Sequence, residues 1–256
     1  MSNNAPSFDL SGRTALITGS TIGIGFAIAE ALASAGANIV LNGIEDEADA
    51  QPSLDTLQST GQKAWYCKTD LSQPGAAQSL YNAASKKAGP IDILISNAAI
   101  QFGQKFPDIG EEELDLQFAT NFKASLQLIQ SVLPHMQTQG WGRVITIGSV
   151  QEENFNSNFI VYAALKTAQT HFICNLAKEY GSDGITFNNI APGIFDTQRN
   201  KDFLSSSKNR DEFISKIPSG RIGLPSDCAG TALLLCSEAG SYINGSNSFI
   251  DGGLRL

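Results

Sequence analysis

Ser149, Tyr162 and Lys166 are side chains whose types and spacing can form a proton-transfer centre. Tyr162 and Lys166 stand four residues apart, so on a helix they project from one face. A phenol has an ordinary pKa near ~10 and keeps its proton at neutral pH. An ammonium close by favours the phenolate through direct charge interaction and moves it toward the range useful for exchanging an alcohol proton. Ser149, thirteen residues before Tyr162, can donate a hydrogen bond to a substrate oxygen. Asn121 lies within a long helical pattern although it is a mediocre helix former. Its amide can hold a water that passes protons from Lys166 to solvent. Each residue alone has an ordinary structural explanation, and Tyr-x-x-x-Lys recurs by chance.

A second pattern is Thr18-Gly19-Ser20-Thr21-Ile22-Gly23-Ile24-Gly25, which follows a β-rich run and opens a helical one. The spacing is G-x-x-x-G-x-G. Gly19 permits the turn, Gly23 lets backbone N–H groups approach a pyrophosphate, and Gly25 lets the helix pack close to the strand. Glycines also end strands for structural reasons alone, but this trio occupies the strand–turn–helix context that dinucleotide binding requires. Asp70 follows the third β-rich run, where a carboxylate can accept from an adenine amino group or, equally, cap the next helix. Asn97-Ala98-Ala99 follows the fourth run, at the carboxyl edge where open sheets bind ligands.

Seven apolar, β-branched runs must carry these groups: Thr14–Thr18, Asn38–Asn42, Lys63–Cys67, Ile91–Ser96, Arg143–Ile147, Ile185–Ala191 and Ser248–Asp251. Their continuous apolar character suits strands buried on both faces of a parallel sheet. Helical segments lie between them: Ile22–Ser34 ending near Gly36, Gln73–Lys87 with Pro74 in its first turn, Glu111–Gln139 as one long helix, and Phe159–Tyr180 closed by Gly181. Pro52 weakens the helical pattern after the second run. The alternation predicts an α/β, doubly wound Rossmann-type domain over residues 1–256, with a mostly parallel seven-stranded sheet and helices on both faces. Residues 1–9 are expected to be a flexible tail. Residues 197–221 interrupt the alternation and predict a lid over the site.

The chain has a formal net charge of −8 and no basic run, which argues against nucleic-acid binding. No apolar run reaches membrane-spanning length, and the first residues show no secretory signal. Cys67, Cys174, Cys228 and Cys236 form no C-x-x-C pair and have no histidine at metal-ligand spacing, so reduced thiols in a cytoplasmic protein and no metal are expected. His135 lies far from His171 in the sequence. His171 sits in an apolar helical stretch and is expected to be a packed or capping residue, not a base.

From Ser11 to its C-terminus the chain resembles the classical short-chain dehydrogenase/reductase family. The resemblance rests on Thr18 to Gly25, Asp70, Asn97-Ala98, Asn121, Ser149, Tyr162 with Lys166, Pro192-Gly193 and Asp251-Gly252-Gly253, in family order and spacing. It implies that Asn121, Ser149, Tyr162 and Lys166 form a catalytic tetrad. It also implies cofactor contacts from Gly19, Ser20, Thr21, Ile22, Gly23, Ile24, Gly25, Asn42, Asp70, Leu71, Asn97, Ala98, Tyr162, Lys166, Pro192, Gly193, Ile194 and Thr197. A homotetramer packed through the two long helices and the last strand is implied as well. Ala99 departs from the pattern, standing where the family has glycine.

The segments Ala191–Asn200 and Ile217–Pro225, with Ala99-Ile100-Gln101 and Ser149-Val150-Gln151, resemble the sugar and sugar-acid branches, such as the gluconate and deoxygluconate dehydrogenases. Charge points the same way. Between Thr197 and Arg221 six basic residues (Arg199, Lys201, Lys208, Arg210, Lys216, Arg221) face three acidic ones (Asp202, Asp211, Glu212). A basic lid on an acidic body suits an anionic substrate, although such charges also serve merely to solvate a helix. Expected substrate contacts are Gln101, Ser149, Gln151, Asn156, Tyr162, Arg199 and Asn200, with Glu152 as a further polar group. The expected reaction interconverts a secondary alcohol and ketone, or a hemiacetal and lactone, on a polar, anionic sugar or sugar acid. A 3-oxoacyl or 3-hydroxy-acid oxidoreductase and a non-catalytic dinucleotide sensor are the alternatives. NAD is expected over NADP: Asn42-Gly43-Ile44 and Ile22 offer no cation for a 2′-phosphate, Glu45, Asp46 and Glu47 repel one, and a neutral Asn42 can still bond to ribose.

Overall fold

The computed structural model describes residues 7–256. Its elements run β1 (Thr14–Ile17), α1 (Gly23–Ser34), β2 (Asn38–Gly43), α2 (Glu47–Gln58), β3 (Ala64–Lys68), α3 (Ala76–Ala88), β4 (Ile93–Ser96), α4 (Glu111–Phe118) and α5 (Ala124–Gln139). There follow β5 (Gly142–Ile147), α6 (Ile160–Tyr180), β6 (Ile185–Pro192), α7 (Lys201–Leu204), α8 (Ser207–Lys216), α9 (Ser226–Cys236) and β7 (Asn247–Ile250). The strands form one seven-stranded sheet in the order β3-β2-β1-β4-β5-β6-β7, and every pairing is parallel. The order reverses beside β1, between β1 and β4. That switch point leaves a crevice at the carboxyl ends of the strands.

The sheet is covered on both faces, which explains its unalternated apolar strands. Ile17, Ile39, Leu41, Ile95 and Ile145 pack with Ile28 and Leu32 of α1, Leu54 and Leu57 of α2, and Leu235 of α9. Leu16, Val40, Leu94, Val144 and Phe187 pack on the other face with Leu80 of α3, Leu128 and Val132 of α5, and Ile173 of α6.

Three local expectations change. Pro74 precedes α3, whose start is set by Gly75 at φ 76°, so the proline lies in the turn and not in the helix. Pro52 is accommodated inside α2: the helix buries Ala50, Leu54 and Leu57, and Glu47 and Asp49 meet the positive end of its dipole. The long helix spans the expected range but contains a π-helical turn, Ala119–Lys123, in which the Ala124 N–H reaches back five residues to the Ala119 carbonyl. The expected flexible tail falls mostly on residues 1–6, outside the described residues. Ser7 is docked, its carbonyl accepting from Ala239 N–H at 3.1 Å. Among the described residues no helix is long and apolar enough to cross a membrane.

Candidate active site

The glycine loop joins β1 to α1 beside the switch point. Gly19 and Gly23 have φ of 57° and 66°, a region that favours glycine. A Cβ on Gly19 would lie 2.9 Å from Ala98 Cα, and one on Gly25 would lie 2.6 Å from Asn97 Nδ2. Gly23 instead opens across the cleft, with Thr197 Cγ2 3.8 Å from where its Cβ would stand. No side chain caps α1, so its leading N–H groups remain for a ligand, and these are the donors a pyrophosphate uses. An uncapped helix start over a glycine floor fits a dinucleotide. Asn97 fixes the loop from the β4 side, donating to Thr18 O at 2.9 Å and Gly19 O at 2.7 Å. The backbone N–H groups of Asn97 and Ala98 donate to Thr18 Oγ1.

Several expected cofactor contacts face the protein instead. Ser20 is fully buried; its hydroxyl donates to Ile17 O and accepts from Asn42 N–H. Asn42 is also buried. Its amide donates to Cys67 O and Thr69 O at 3.1 Å and accepts from Gly19 N–H at 3.4 Å, so it does not reach a ribose. Leu71 packs in the core. These polar side chains satisfy backbone groups that the loops bury where they cross the sheet edge. Asp70 is exposed, accepts from Ser72 N–H and Gln73 Nε2, and is held below the usual carboxylate range chiefly by the Ser72 N–H. Pro192 ends β6, and Gly193 follows where a Cβ would lie 2.8 Å from Asp251 Cα; Ile194 joins a small cluster under the lid.

Ser149, Tyr162 and Lys166 converge at the carboxyl ends of β4 and β5. Tyr162 is buried, and burial pushes its phenol up. The Arg199 charge and hydrogen bonding from Ser149 and Arg199 oppose that rise. Lys166 is 1% exposed. Its ammonium donates to Ile147 O at 2.6 Å and Gln169 Oε1 at 3.3 Å, and lies 5.6 Å from the Tyr162 ring centre. Burial, then the Arg199 charge, pushes it down to about 7, with Glu152 opposing. Two cations thus flank the phenol: Lys166, which the sequence pointed to, and Arg199. Asn121 lies in the π turn. The π turn buries it, and its amide accepts from Ile100 N–H and donates to Ile100 O, each at 2.8 Å. Both ends of the amide hold the β4 loop, so the side chain fixes a wall of the site.

Glu152 was expected to face a substrate and instead lies behind Ser149. Its carboxylate accepts from Ser149 N–H at 2.9 Å, Thr170 Oγ1 at 2.7 Å, Asn247 Nδ2 at 3.1 Å and Asn189 Nδ2 at 3.3 Å. Ser149 Oγ in turn accepts from Gln151 N–H, completing a capping box. The Ser-x-x-Glu spacing was the sequence signal for it. Burial pushes the Glu152 carboxyl up despite these donors.

Of the expected substrate contacts, Arg199 reaches the centre. Its guanidinium donates to Ala99 O at 2.6 Å, tying the segment after β6 to the β4 loop beside Tyr162. Ala99 is accommodated without strain, since among the described residues no non-glycine has positive φ. Asn200 Nδ2 donates to Phe195 O and Asn156 Oδ1 accepts from Asn158 N–H, so each holds its own loop. Gln101 is half-buried, and the Gln151 amide oxygen is buried without a partner. The other cations of residues 197–221 are partly neutralised: Arg210, Lys216 and Arg221 pair with Asp196, Glu212 and Asp227. His171, expected to be a packed or capping residue, is exposed on α6 and so is not packed, and His135 lies 3.2 Å from Asp92 at the opposite sheet edge.

A fold, glycine loop and Ser–Tyr–Lys centre of this kind define a nicotinamide-dependent oxidoreductase. The family model described as enoyl-(acyl carrier protein) reductase matches residues 19–255. The chain belongs to the short-chain dehydrogenase/reductase family and is closely related to its gluconate and sugar-acid dehydrogenase branches. Gluconate 5-dehydrogenase of Gluconobacter oxydans is 35% identical over 97% of each chain. A 3-oxoacyl (acyl-carrier-protein) reductase of Agrobacterium tumefaciens with NADP bound superposes with a TM-score of 0.92 at 38% identity, over 96% of this chain and 95% of that one. A gluconate 5-dehydrogenase of Burkholderia cenocepacia in complex with NADP and tartrate superposes with a TM-score of 0.90 at 32% identity, over 97% of each. The chain is thus an NAD(P)-dependent oxidoreductase.

Proposed function

We propose that this protein interconverts a secondary alcohol and ketone on an anionic sugar or sugar acid, preferring NAD, with Tyr162 as the catalytic acid/base. The observation that carries the substrate class is Arg199: a guanidinium from the lid stands beside the phenol that handles the proton. A carboxylate on the substrate would give it a charge-assisted partner. The tartrate held by the Burkholderia relative agrees with that chemistry.

In oxidation, Ser149 donates to the substrate oxygen while Tyr162, as phenolate, takes the hydroxyl proton. In reduction, the Tyr162 phenol returns it. A bound nicotinamide supplies the hydride acceptor or donor. Lys166 and Asn121 hold the walls on either side, and residues 197–221 close over the substrate. Assembly as a cytoplasmic homotetramer is part of the same reading. It is supported by a shallow groove on α6 and the π turn, lined by Phe122, Ala164, Ala168, His171 and Phe172.

Arg199→Ala tests the substrate class. A hydrogen bond to a charged group contributes about 1.5–3 kcal/mol, so kcat/KM for a sugar acid should fall roughly tenfold to a hundredfold. That for the parent aldose or polyol should fall much less, and cofactor affinity should hold. An unchanged charged-to-neutral ratio removes Arg199 from substrate recognition. The second reading, a 3-oxoacyl reductase, is favoured by the 38% identical Agrobacterium structure. Faster turnover of a 3-oxoacyl thioester than of any sugar acid would establish it.

A further inference from the structure

Lys166 keeps its ammonium in a buried site, and a buried charge persists only where other groups satisfy its donors. Two oxygens accept from it: Ile147 O of β5 at 2.6 Å and Gln169 Oε1 of α6 at 3.3 Å. Residues three apart on a helix are neighbours on one face, which lets Gln169 reach the ammonium. Lysine has three N–H donors and no acceptor, so the amide must turn its oxygen toward Lys166 and its nitrogen away. The nitrogen meets Ser125 of α5 and donates to its Oγ at 3.4 Å. Gln169 and Ser125 are themselves buried. The same two helices contribute Leu128, Val132, Ile173 and Ala177 to one apolar cluster, so hydrocarbon at both positions would suit the seam. Replacing both partners of a buried bond by apolar groups of the same shape can be nearly neutral for stability. Packing therefore does not call for this polar pair; the ammonium does.

We propose that Gln169 is a positioning residue of the reaction: anchored by Ser125, its amide oxygen holds the Lys166 ammonium beside Tyr162. The inference rests on the proposed role of Tyr162 as acid/base and adds the residue that supports its cation. Two bonds fix the ammonium and thereby the direction of its third N–H. The charged groups that face it do not supply this. Glu152, from the β5–α6 loop, acts through space, its carboxylate being bonded to four other donors. Arg199, from the segment after β6, is a like charge and opposes the ammonium, and the Tyr162 ring centre lies 5.6 Å away. Burial and these neighbours leave Lys166 at about 7, so the ammonium is close to losing its proton at neutral pH. Removing the Gln169 oxygen favours neutral lysine. The phenol then loses a cationic neighbour, and phenolate forms only at higher pH.

The test pairs NMR titration of labelled lysine methylene carbons with the pH profile of kcat/KM for oxidation of gluconate with NAD, both on the full chain. Gln169→Met keeps the length of the side chain and removes its oxygen. It should lower the proton affinity of Lys166 by about tenfold to a hundredfold, the scale of a lost bond to a charged group, and move the acidic limb of the profile to higher pH. Gln169→Glu restores an acceptor oxygen and should move the lysine midpoint upward instead. Ser125→Ala releases only the far end of the amide and should move both readouts in the direction of Gln169→Met, by less. A folded Gln169→Met protein, or a Ser125→Ala protein where the former does not fold, in which either readout keeps its wild-type value overturns the proposal. A lower unfolding midpoint does not rescue it, since packing alone would produce that. Near wild-type turnover in Tyr162→Phe removes the acid/base reading itself. An inactive Tyr162→Phe beside an unmoved Gln169→Met leaves that reading standing and overturns only the assignment to Gln169.

Discussion

Lys166 is one of the largest fully buried side chains in the protein, and its ammonium is balanced between opposing neighbours. Burial and Arg199 push its pKa down to about 7, while Glu152 pulls it up. An unfolded chain would hold that proton to about 10.5, so between about 7 and 10.5 the unfolded state binds more protons than the native one. Stability from this group therefore rises with pH across that window, and the full cost of burying the charge is felt below it. NMR titration of labelled lysine methylene carbons should find one lysine changing state near neutral pH. In Arg199→Ala that midpoint should move upward, because a like charge has been removed. A Lys166 midpoint above pH 10 in the wild type would contradict the balance. The sequence showed which residues gather here, since Tyr-x-x-x-Lys and the upstream serine are local patterns. It did not show that a second cation stands beside the phenol, because Arg199 arrives from a segment 37 residues further on.

The loop between β5 and α6 carries Ser149, and Glu152 binds that loop to its neighbours. Its four donors come from the loop itself, α6, β6 and β7. Glu152→Ala would leave buried donors without an acceptor, at about 1–3 kcal/mol for each one that stays unsatisfied. The expected outcome is a lower unfolding midpoint together with reduced turnover, as Ser149 loses its anchor. A variant with unchanged midpoint and turnover would show that Glu152 holds nothing. The strands and most helices were legible as elements because apolar continuity and helical period depend on local residues. The π turn at Asn121 was not. A one-residue bulge barely alters the hydrophobic pattern, and the contact made from it, with Ile100, is 21 positions away. Asn42 failed for a similar reason: a polar residue at a strand end faces a ligand or the next loop, and only the packed β3 segment decides which.

At the scale of the whole molecule, the carboxyl edge of the sheet carries the chemistry and the opposite edge carries fixed charge. There the guanidinium groups of Arg13 and Arg143 lie over the Trp141 ring, 3.7 and 4.3 Å from its centre, and the indole donates to Glu238 at 2.6 Å. The groove holding Ala168 and His171 lies on the flank, on exposed helix surface, and is the face that the proposed tetramer would use. Ala168→Arg places a long charge in that groove. Light scattering should find the wild type as a tetramer and Ala168→Arg as a smaller species with the same circular dichroism; equal masses would place the interface elsewhere. In the proposed reaction all this architecture presents one phenol to a substrate hydroxyl beside a nicotinamide. Tyr162→Phe keeps the ring and removes the oxygen. Turnover, read as the change in nicotinamide absorbance with a sugar-acid substrate, should fall by roughly two to four orders of magnitude. NADH binding by the same variant should persist. A folded Tyr162→Phe protein that binds NADH and turns over at near wild-type rate would contradict the account.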